Sequence, residues 1–366
     1  MELNNGNVIR NDTTVAAITI LTSSIPDVLK ELTIEPSCYV IDTDHLVERL
    51  WLVAVLGSTL STISIVENAF LFMIFITSKQ HRRSHSLYLL LLAFTDIFIS
   101  LTYILIMSVK VLYQYNEWIF MKKIWIAYVV PMMTMSHVAI TASSFLIVFA
   151  TIERFCITVS SHYVEFLQNN RCYIALIAVI IGVVTKGTLI LELKPIHDLS
   201  CIGTLNEYRL EITALVIHNK HYKLFRFWFR NIVTILFPFF TLLFLNVRIV
   251  NEHRKNFLVG KYNMESAIAK ERKARIRAAT RTLMLVVCTY LLANMLSVII
   301  TIWEHTDETS LFSNFLDFYI FSVDAVSLLT IVACVLRLPI YASCQPALRA
   351  EMIYFAKAYC RRHEDM

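Results

Sequence analysis

From Ile124 to Ile152 the chain reads IWIAYVVPMMTMSHVAITASSFLIVFATI, 29 residues without one Asp, Glu, Lys or Arg. As an α-helix rising about 1.5 Å per residue the stretch is roughly 43 Å long, more than the hydrocarbon core of a bilayer at about 30 Å. It must therefore tilt or protrude. Working outward, six more apolar stretches accompany it, so that seven lie near Trp51–Ile76, Tyr88–Leu112, Ile124–Val159, Cys172–Leu193, Phe227–Ile249, Thr282–Trp303 and Phe312–Tyr341. Hydrophobic residues make up 57% of the 366 and charged residues 17%, against roughly 25% charged in an average soluble domain. A water-soluble globule is excluded, and so is general disorder. With 6 Gly and 7 Pro the chain is not collagen-like either. The expected fold is all-α, a seven-transmembrane helix bundle.

The excess of five positive charges is spread along an apolar chain, which points to bases flanking membrane spans and not to nucleic acid. Lys79, Arg82 and Arg83 follow the first stretch. Arg254, Lys255, Lys261, Lys270, Arg272, Lys273, Arg275 and Arg277 lie between the fifth and sixth, and Arg349, Lys357, Arg361 and Arg362 lie in the tail. By the positive-inside rule that face is expected in the cytosol and the N-terminus outside, although the fourth-to-fifth connection is also basic (Lys194, Arg209, Lys220, Lys223). Residues 1–48 lack the pattern of a signal peptide, since Ala16 to Leu21 is short and polar. The expected organisation is an extracellular segment over 1–48, the seven-helix domain over 49–344, and a cytoplasmic amphipathic helix and tail over 345–366. Asn11-Asp12-Thr13 fits an N-glycosylation site on the outer segment. Of eight cysteines, Cys38 and Cys201 fall on the outer face, where they form one bridge or remain two thiols.

Charged and amide groups inside a span are costly and are either paired or functional. Glu67, Asn68, Asp96, Lys186, Asp324 and Arg337 are the candidates here. If their helices are neighbours, Asp96 and Arg337 neutralise one another with Asn68 donating, as a clamp or as a switch. Lys186 either snorkels or lines a cavity. His81 and His85 have an HxxxH spacing and His218 and His221 form a second pair, but the two pairs fall on opposite faces, so no metal is expected. No phosphate loop or hydrolase motif is present. Neither enzymatic activity nor a cofactor is expected.

At the inner end of the third stretch the chain reads Thr151-Ile152-Glu153-Arg154-Phe155. With seven spans and an outer N-terminus this resembles the E/D-R-Y/F motif of rhodopsin-like G-protein-coupled receptors. Asn68, Leu92-Ala93-Phe94-Thr95-Asp96, Ser143, Trp118, Pro238 and Leu338-Pro339-Ile340-Tyr341 match further positions of that family in order and spacing, over roughly residues 50–360. There are departures too. Val129 stands where the family's disulfide cysteine would be, which makes Cys38 the candidate partner of Cys201. Cys288 to Asn294 lacks the CWxP tryptophan and proline, and Arg337 replaces the NPxxY asparagine, which removes sodium modulation. Ser136 replaces the aspartate of amine receptors. The pattern is similar to invertebrate FMRFamide-type neuropeptide receptors, particularly nematode ones.

That resemblance implies an extracellular peptide ligand with an amidated Arg-Phe end, a heterotrimeric G protein as partner, and a plasma-membrane location with lipid around the bundle. Ser136, His137, Glu192 and Asp324 are the candidate ligand residues, the two carboxylates facing the peptide's arginine; Glu304, Asp307, Glu308 and Asp317 are further acids at the outer mouth. Tyr128, Trp303 and Phe321 are aromatics that either bury a ligand ring or anchor in the interface. Glu153, Arg154, Phe155 and Tyr341 are the G-protein-coupling candidates; Asn68, Asp96, Ser143 and Arg337 are the intramembrane network. Lys270 to Arg277 is expected to extend the sixth helix into the cytosol. Leu348, Met352, Phe355 and Tyr359 space out an interfacial helix flanked by Cys344 and Cys360, candidates for palmitoylation. A chemosensory receptor of the same fold for a small environmental molecule is the alternative, and a transporter or channel the distant one.

Overall fold

The computed structural model describes residues 45–77, 86–259, 267–306 and 315–364. Seven helices long and apolar enough to cross a membrane run Leu46–Thr77, Leu87–Tyr115, Ile119–Thr158, Arg171–Leu191, Trp228–Glu252, Ile276–Glu304 and Asp317–Cys344, and are called spans 1 to 7. The third, at 40 residues, is the longest, as its charge-free run requires. The chain is a multi-pass, all-α membrane bundle. Span 1 packs on span 2, span 3 on spans 2, 4 and 5, span 6 on span 7, and span 7 back on span 1.

Lipid offers no hydrophobic drive for helix association, so close backbone approach through small residues matters. Gly182 is such a residue, because a Cβ there would sit 2.8 Å from the Val138 carbonyl oxygen. A larger residue here would force spans 3 and 4 to shift apart. Between spans 1 and 2 the Ser100 hydroxyl donates to Ser64 Oγ at 2.7 Å and Ser58 to Ser108 Oγ at 2.9 Å. Outward, Val66, Leu176, Val184, Phe244 and Leu292 stand exposed, a face suited to acyl chains. After a first α-helical turn, Leu46–Arg49, span 1 passes through a π-helical stretch, Leu50–Gly57, whose final glycine leaves room for the Tyr103 ring.

Among the described residues the one sheet is a two-stranded hairpin between spans 4 and 5. β1 (Leu193–His197) and β2 (Tyr208–Ile212) pair antiparallel, Leu193 opposite Ile212 and His197 opposite Tyr208. Their connection turns at Gly203, whose φ of +83° favours glycine. Its N–H donates to Glu207 Oε2 at 3.0 Å, and that backbone hydrogen bond, ahead of the contacts from Tyr208 and His197, holds the Glu207 carboxyl below its ordinary pKa. Leu193, Leu205 and Leu210 pack on Trp125, Ile126, Val129 and Val130 of span 3. The Lys122 ammonium donates to the Leu205 carbonyl, and Lys123 lies 5.4 Å above the Tyr208 ring centroid. Packing and these cations therefore tie the hairpin to span 3 at the place where Val129 stands.

At the opposite end the helix carrying span 6 starts at Ala267 and runs unbroken to Thr306, so Lys270 to Arg277 does extend it. A last helix, Pro346–Glu364, follows span 7. Its Leu348 and Met352 are buried with Leu71, Ile74, Phe75 and Tyr341. Cys344, a candidate for palmitoylation, is packed to 3% exposure.

Candidate functional site

A cavity of about 210 Å³ lies in the half of the bundle that bears the hairpin. All seven spans contribute to its lining, which includes Arg49, Lys110, His137, Lys186 and Asp324. The wall is otherwise mostly apolar, with the rings of Tyr103, Trp125 and Tyr290. Ser136 also lines it and accepts a hydrogen bond from the Thr102 hydroxyl at 3.0 Å. Tyr290 donates to Ser144 Oγ at 3.0 Å and so links span 6 to span 3 at the cavity wall. Tyr128, Trp303 and Phe321 do not line it. The Tyr128 hydroxyl donates to the Leu105 carbonyl at 2.8 Å, Trp303 packs on Phe315 and Phe318, and Phe321 packs on His45.

The two carboxylates expected to meet a cationic ligand both have partners within the protein. Arg49 grips Asp324 as a fork, Nε to Oδ2 at 2.7 Å and Nη2 to Oδ1 at 3.3 Å. Glu192 is 0% exposed. Arg230 donates to its Oε1 at 2.6 Å, Tyr222 donates to the same oxygen at 2.7 Å, and Arg226 Nε lies 3.7 Å from Oε2. The physical reason is the several kcal/mol that an ion left unpaired in a low-dielectric interior costs. Burial, followed by the negative charge of Glu192, pushes the Tyr222 hydroxyl up to about 12. Of the outer-mouth acids, Glu304 accepts from Tyr319 at 2.9 Å.

Sequence reasoning missed Arg49, Lys110, Arg226 and Arg230. Lys110 and Arg230 carry the signal that singled out Asp96, a charge inside an apolar stretch. Arg49 and Arg226 stand at stretch ends, where a base ordinarily faces the lipid headgroups, and only tertiary contacts distinguish them.

Below the cavity, spans 2 and 7 are neighbours, and Arg337 Nη1 stands 2.7 Å from Asp96 Oδ2. That nitrogen has no aligned hydrogen-bond acceptor, so the contact is one of charge. Arg337 Nη2 donates to Ser143 Oγ at a long 3.5 Å. Asn68 is placed differently from expectation. Its amide donates to the Ser64 carbonyl at 2.9 Å, to Ser64 Oγ at 3.2 Å and to the Cys334 carbonyl at 3.3 Å, because acceptors on its own helix and on span 7 lie nearer than Asp96. It ties span 1 to span 7. Glu67 is half-buried with an unpartnered Oε2.

At the far end of span 3, Glu153 does not hold Arg154. Its carboxylate receives Arg171 Nη2 at 2.5 Å and Nε at 2.9 Å from the start of span 4. Arg154 is 7% exposed, and among the described residues no hydrogen bond or ion pair reaches its guanidinium. Phe155 is half-buried and Tyr341 fully buried. Cys201 is buried in the hairpin connection and disulfide-bonded. Cys38, Asn11, His81, His85, Asp307 and Glu308 lie outside the described residues, as do the side chains of Tyr359 and Cys360. No family model matches the sequence, and no curated protein matches it.

Proposed function

We propose that the chain is a rhodopsin-like receptor that takes an extracellular ligand into the central cavity and activates a heterotrimeric G protein at the opposite end of the bundle. One observation carries this: a single unbroken helix, Ile119–Thr158, bears cavity-lining Ser136, His137 and Ile140 and, 18 residues beyond Ser136 and roughly 27 Å along the axis, the buried Arg154. Displacement of span 3 or of span 6, linked to it by Tyr290 and Ser144, by a ligand would be felt at Arg154. In this reading the hairpin end faces outward and the basic end of span 6 faces the cytosol at the plasma membrane. Asn11 is then available for glycosylation, and Cys38 is the partner of Cys201. The protein does no covalent chemistry; the ligand's differential affinity for two arrangements of the bundle supplies the signal.

The ligand is proposed to be a neuropeptide of which one end enters the cavity. The size of the cavity, about 210 Å³, favours as second reading a small molecule that enters whole. Transfected cells presented with peptide and small-molecule libraries separate the two. In such cells Arg154→Ala is expected to abolish G-protein activation while surface expression remains; undiminished signalling would reject the role of Arg154. Ligand-independent ion or solute flux in liposomes would reject the receptor in favour of a transporter or channel.

A further inference from the structure

The hydroxyls on the cavity wall do not all behave alike. Thr102, Ser144, Ser327 and Thr330 donate to backbone carbonyls of their own helices at 2.9 to 3.0 Å, the usual way for a hydroxyl to be satisfied within a span. Thr141 on span 3 and Thr234 on span 5 line the same cavity and are buried, at 3% and 7% exposure, yet neither turns back in this way. Among the described residues the Thr141 hydroxyl makes no hydrogen bond, and Thr234 Oγ1 is buried without a partner. A buried polar group in that state is costly until a partner arrives.

The two hydroxyls belong to one place. Phe145 and Phe237 stack with ring centroids 6.2 Å apart. Spans 3 and 5 run in the same direction, and Thr141 and Thr234 stand four and three residues before those rings, about one helical turn in each case. Both therefore lie at one level at the inner end of the cavity, next to the hydrogen bond from Tyr290 to Ser144. Thr234 also sits in a π-helical stretch, Ile232–Leu236, a distortion that recurs at functional sites.

We infer that Thr141 and Thr234 form a polar subsite that receives an uncharged group able both to donate and to accept, a hydroxyl or a carboxamide, carried on an apolar body. A hydroxyl donates and accepts but supplies no countercharge, so an ion seated between two of them would be buried unpaired. The Arg49–Asp324 fork is balanced within itself. His137, Lys110 and Lys186 have interactions of their own, and the subsite does not depend on them. Ile140, Ile235 and Tyr290 supply apolar wall for the rest of the molecule. The inference rests on the receptor reading only in taking this cavity as the ligand site.

The group can belong to a small molecule or to the amide end of a peptide, and two arms separate the sources. The full chain, purified in nanodiscs, is titrated with 3-phenylpropan-1-ol and 3-phenylpropanamide against propylbenzene, 3-phenylpropanoate and 3-phenylpropylamine. The second arm sets N-acetylphenylalanine amide against N-acetylphenylalanine. In at least one arm the uncharged polar probe is expected to bind about tenfold or more tighter than its charged counterparts. Preference in the first arm alone identifies a small molecule, and preference in the second a peptide end. Thr141→Val and Thr234→Val keep the shape and remove the hydroxyl. Each should weaken that binding roughly three- to tenfold, the effect of one hydrogen bond, and leave propylbenzene binding as it was, whereas Thr141→Ser and Thr234→Ser should bind like the parent. Without ligand neither valine variant should unfold at a lower temperature than the parent, because the lost hydroxyl has no partner within the protein; a lower temperature would show the hydroxyl already engaged and overturn the inference.

Neutral probes that bind no better than the charged ones, or fail to bind at millimolar concentration in both arms, also overturn it, as does a preference that survives both valine variants. Since binding is read on the isolated chain, it stands apart from signalling. A neutral ligand that binds but activates no G protein in membranes sinks the receptor and leaves the subsite standing. Activation by a charged ligand, undiminished in both valine variants, does the reverse.

Discussion

In the hairpin half of the bundle Arg49 forks onto Asp324 at the wall of a cavity and Arg230 holds Glu192, whereas in the other half Asp96 and Glu153 stand 2.7 Å and 2.5 Å from Arg337 and Arg171 within a packed interior that also buries Arg154. The second half is also filled. Leu146, Ile147, Leu242, Leu283 and Val287 form a continuous core there, and Leu71, Phe75, Val286 and Tyr341 another. The first half keeps a cavity. Pairing within a close-packed core makes Asp96, Glu153 and their arginines into clamps between helices, whereas the Arg49–Asp324 pair stands at the wall of a cavity. The same residue types thus stand in different surroundings, and what separates them is the packing around them.

The comparison breaks most readily at the Arg49–Asp324 fork. Asp324→Ala strands Arg49 and is expected to cost about 3–5 kcal/mol, read as a lowered denaturation midpoint of the purified chain. The pair Arg49→Met with Asp324→Leu should recover most of it, since an apolar pair of similar volume is tolerated where a lone charge is not. An unchanged midpoint in Asp324→Ala would show that the fork does not hold span 1 to span 7. Packing below the cavity is the next largest lever. Gly182→Val pushes a side chain onto the Val138 carbonyl and should lose about 1–3 kcal/mol, with spans 3 and 4 forced apart; full retention of stability would mean that their contact yields freely.

A smaller effect sharpens the clamp reading of Glu153. Arg171 is 12% exposed at its side chain, so solvent screens the pair in part, and Arg171→Gln is expected to cost about 1–2 kcal/mol. Glu153→Gln should cost a similar amount and the double variant little more than either, whereas additive losses would deny the pairing. The smallest effect lies in the hairpin. The Glu207 carboxyl is held below its ordinary value of 4.5, so the order it lends to the turn is present above that value and is lost as falling pH passes through the lowered one. Hydrogen exchange at the Gly203 amide should therefore quicken in acid beyond its intrinsic pH dependence. Glu207→Gln should remove that sensitivity, and an acid response that persists in the variant would assign it elsewhere.

Much of the architecture was legible in advance, for a local reason. Whether a stretch such as Ile124 to Ile152 enters lipid depends on the residues within it, and the third span, the extended sixth helix and the last helix all follow from contiguous patterns. The Asp96–Arg337 contact was legible because two opposite charges in lipid must find partners and the choices were few. Less of the cavity could be read. Arg49 sits at the edge of its stretch like any headgroup-facing base, and nothing in its neighbourhood says that it turns inward to Asp324, 275 positions away. Glu153 stands beside Arg154 in sequence, yet successive residues on a helix diverge, and its partner Arg171 comes from the next span.

By itself, then, the sequence determined that this chain forms seven membrane-crossing helices and that a handful of charges lie among them, since solubility in lipid sums over adjacent residues. Only the tertiary structure decided which charges meet, that Glu192 and Asp324 are already answered by arginines, and that Asp324 shares a cavity wall with Arg49, Lys110 and Lys186. Those outcomes depend on how helices distant in sequence rotate and pack, and a buried ion responds to whatever lies within a few ångströms, whichever part of the chain supplies it.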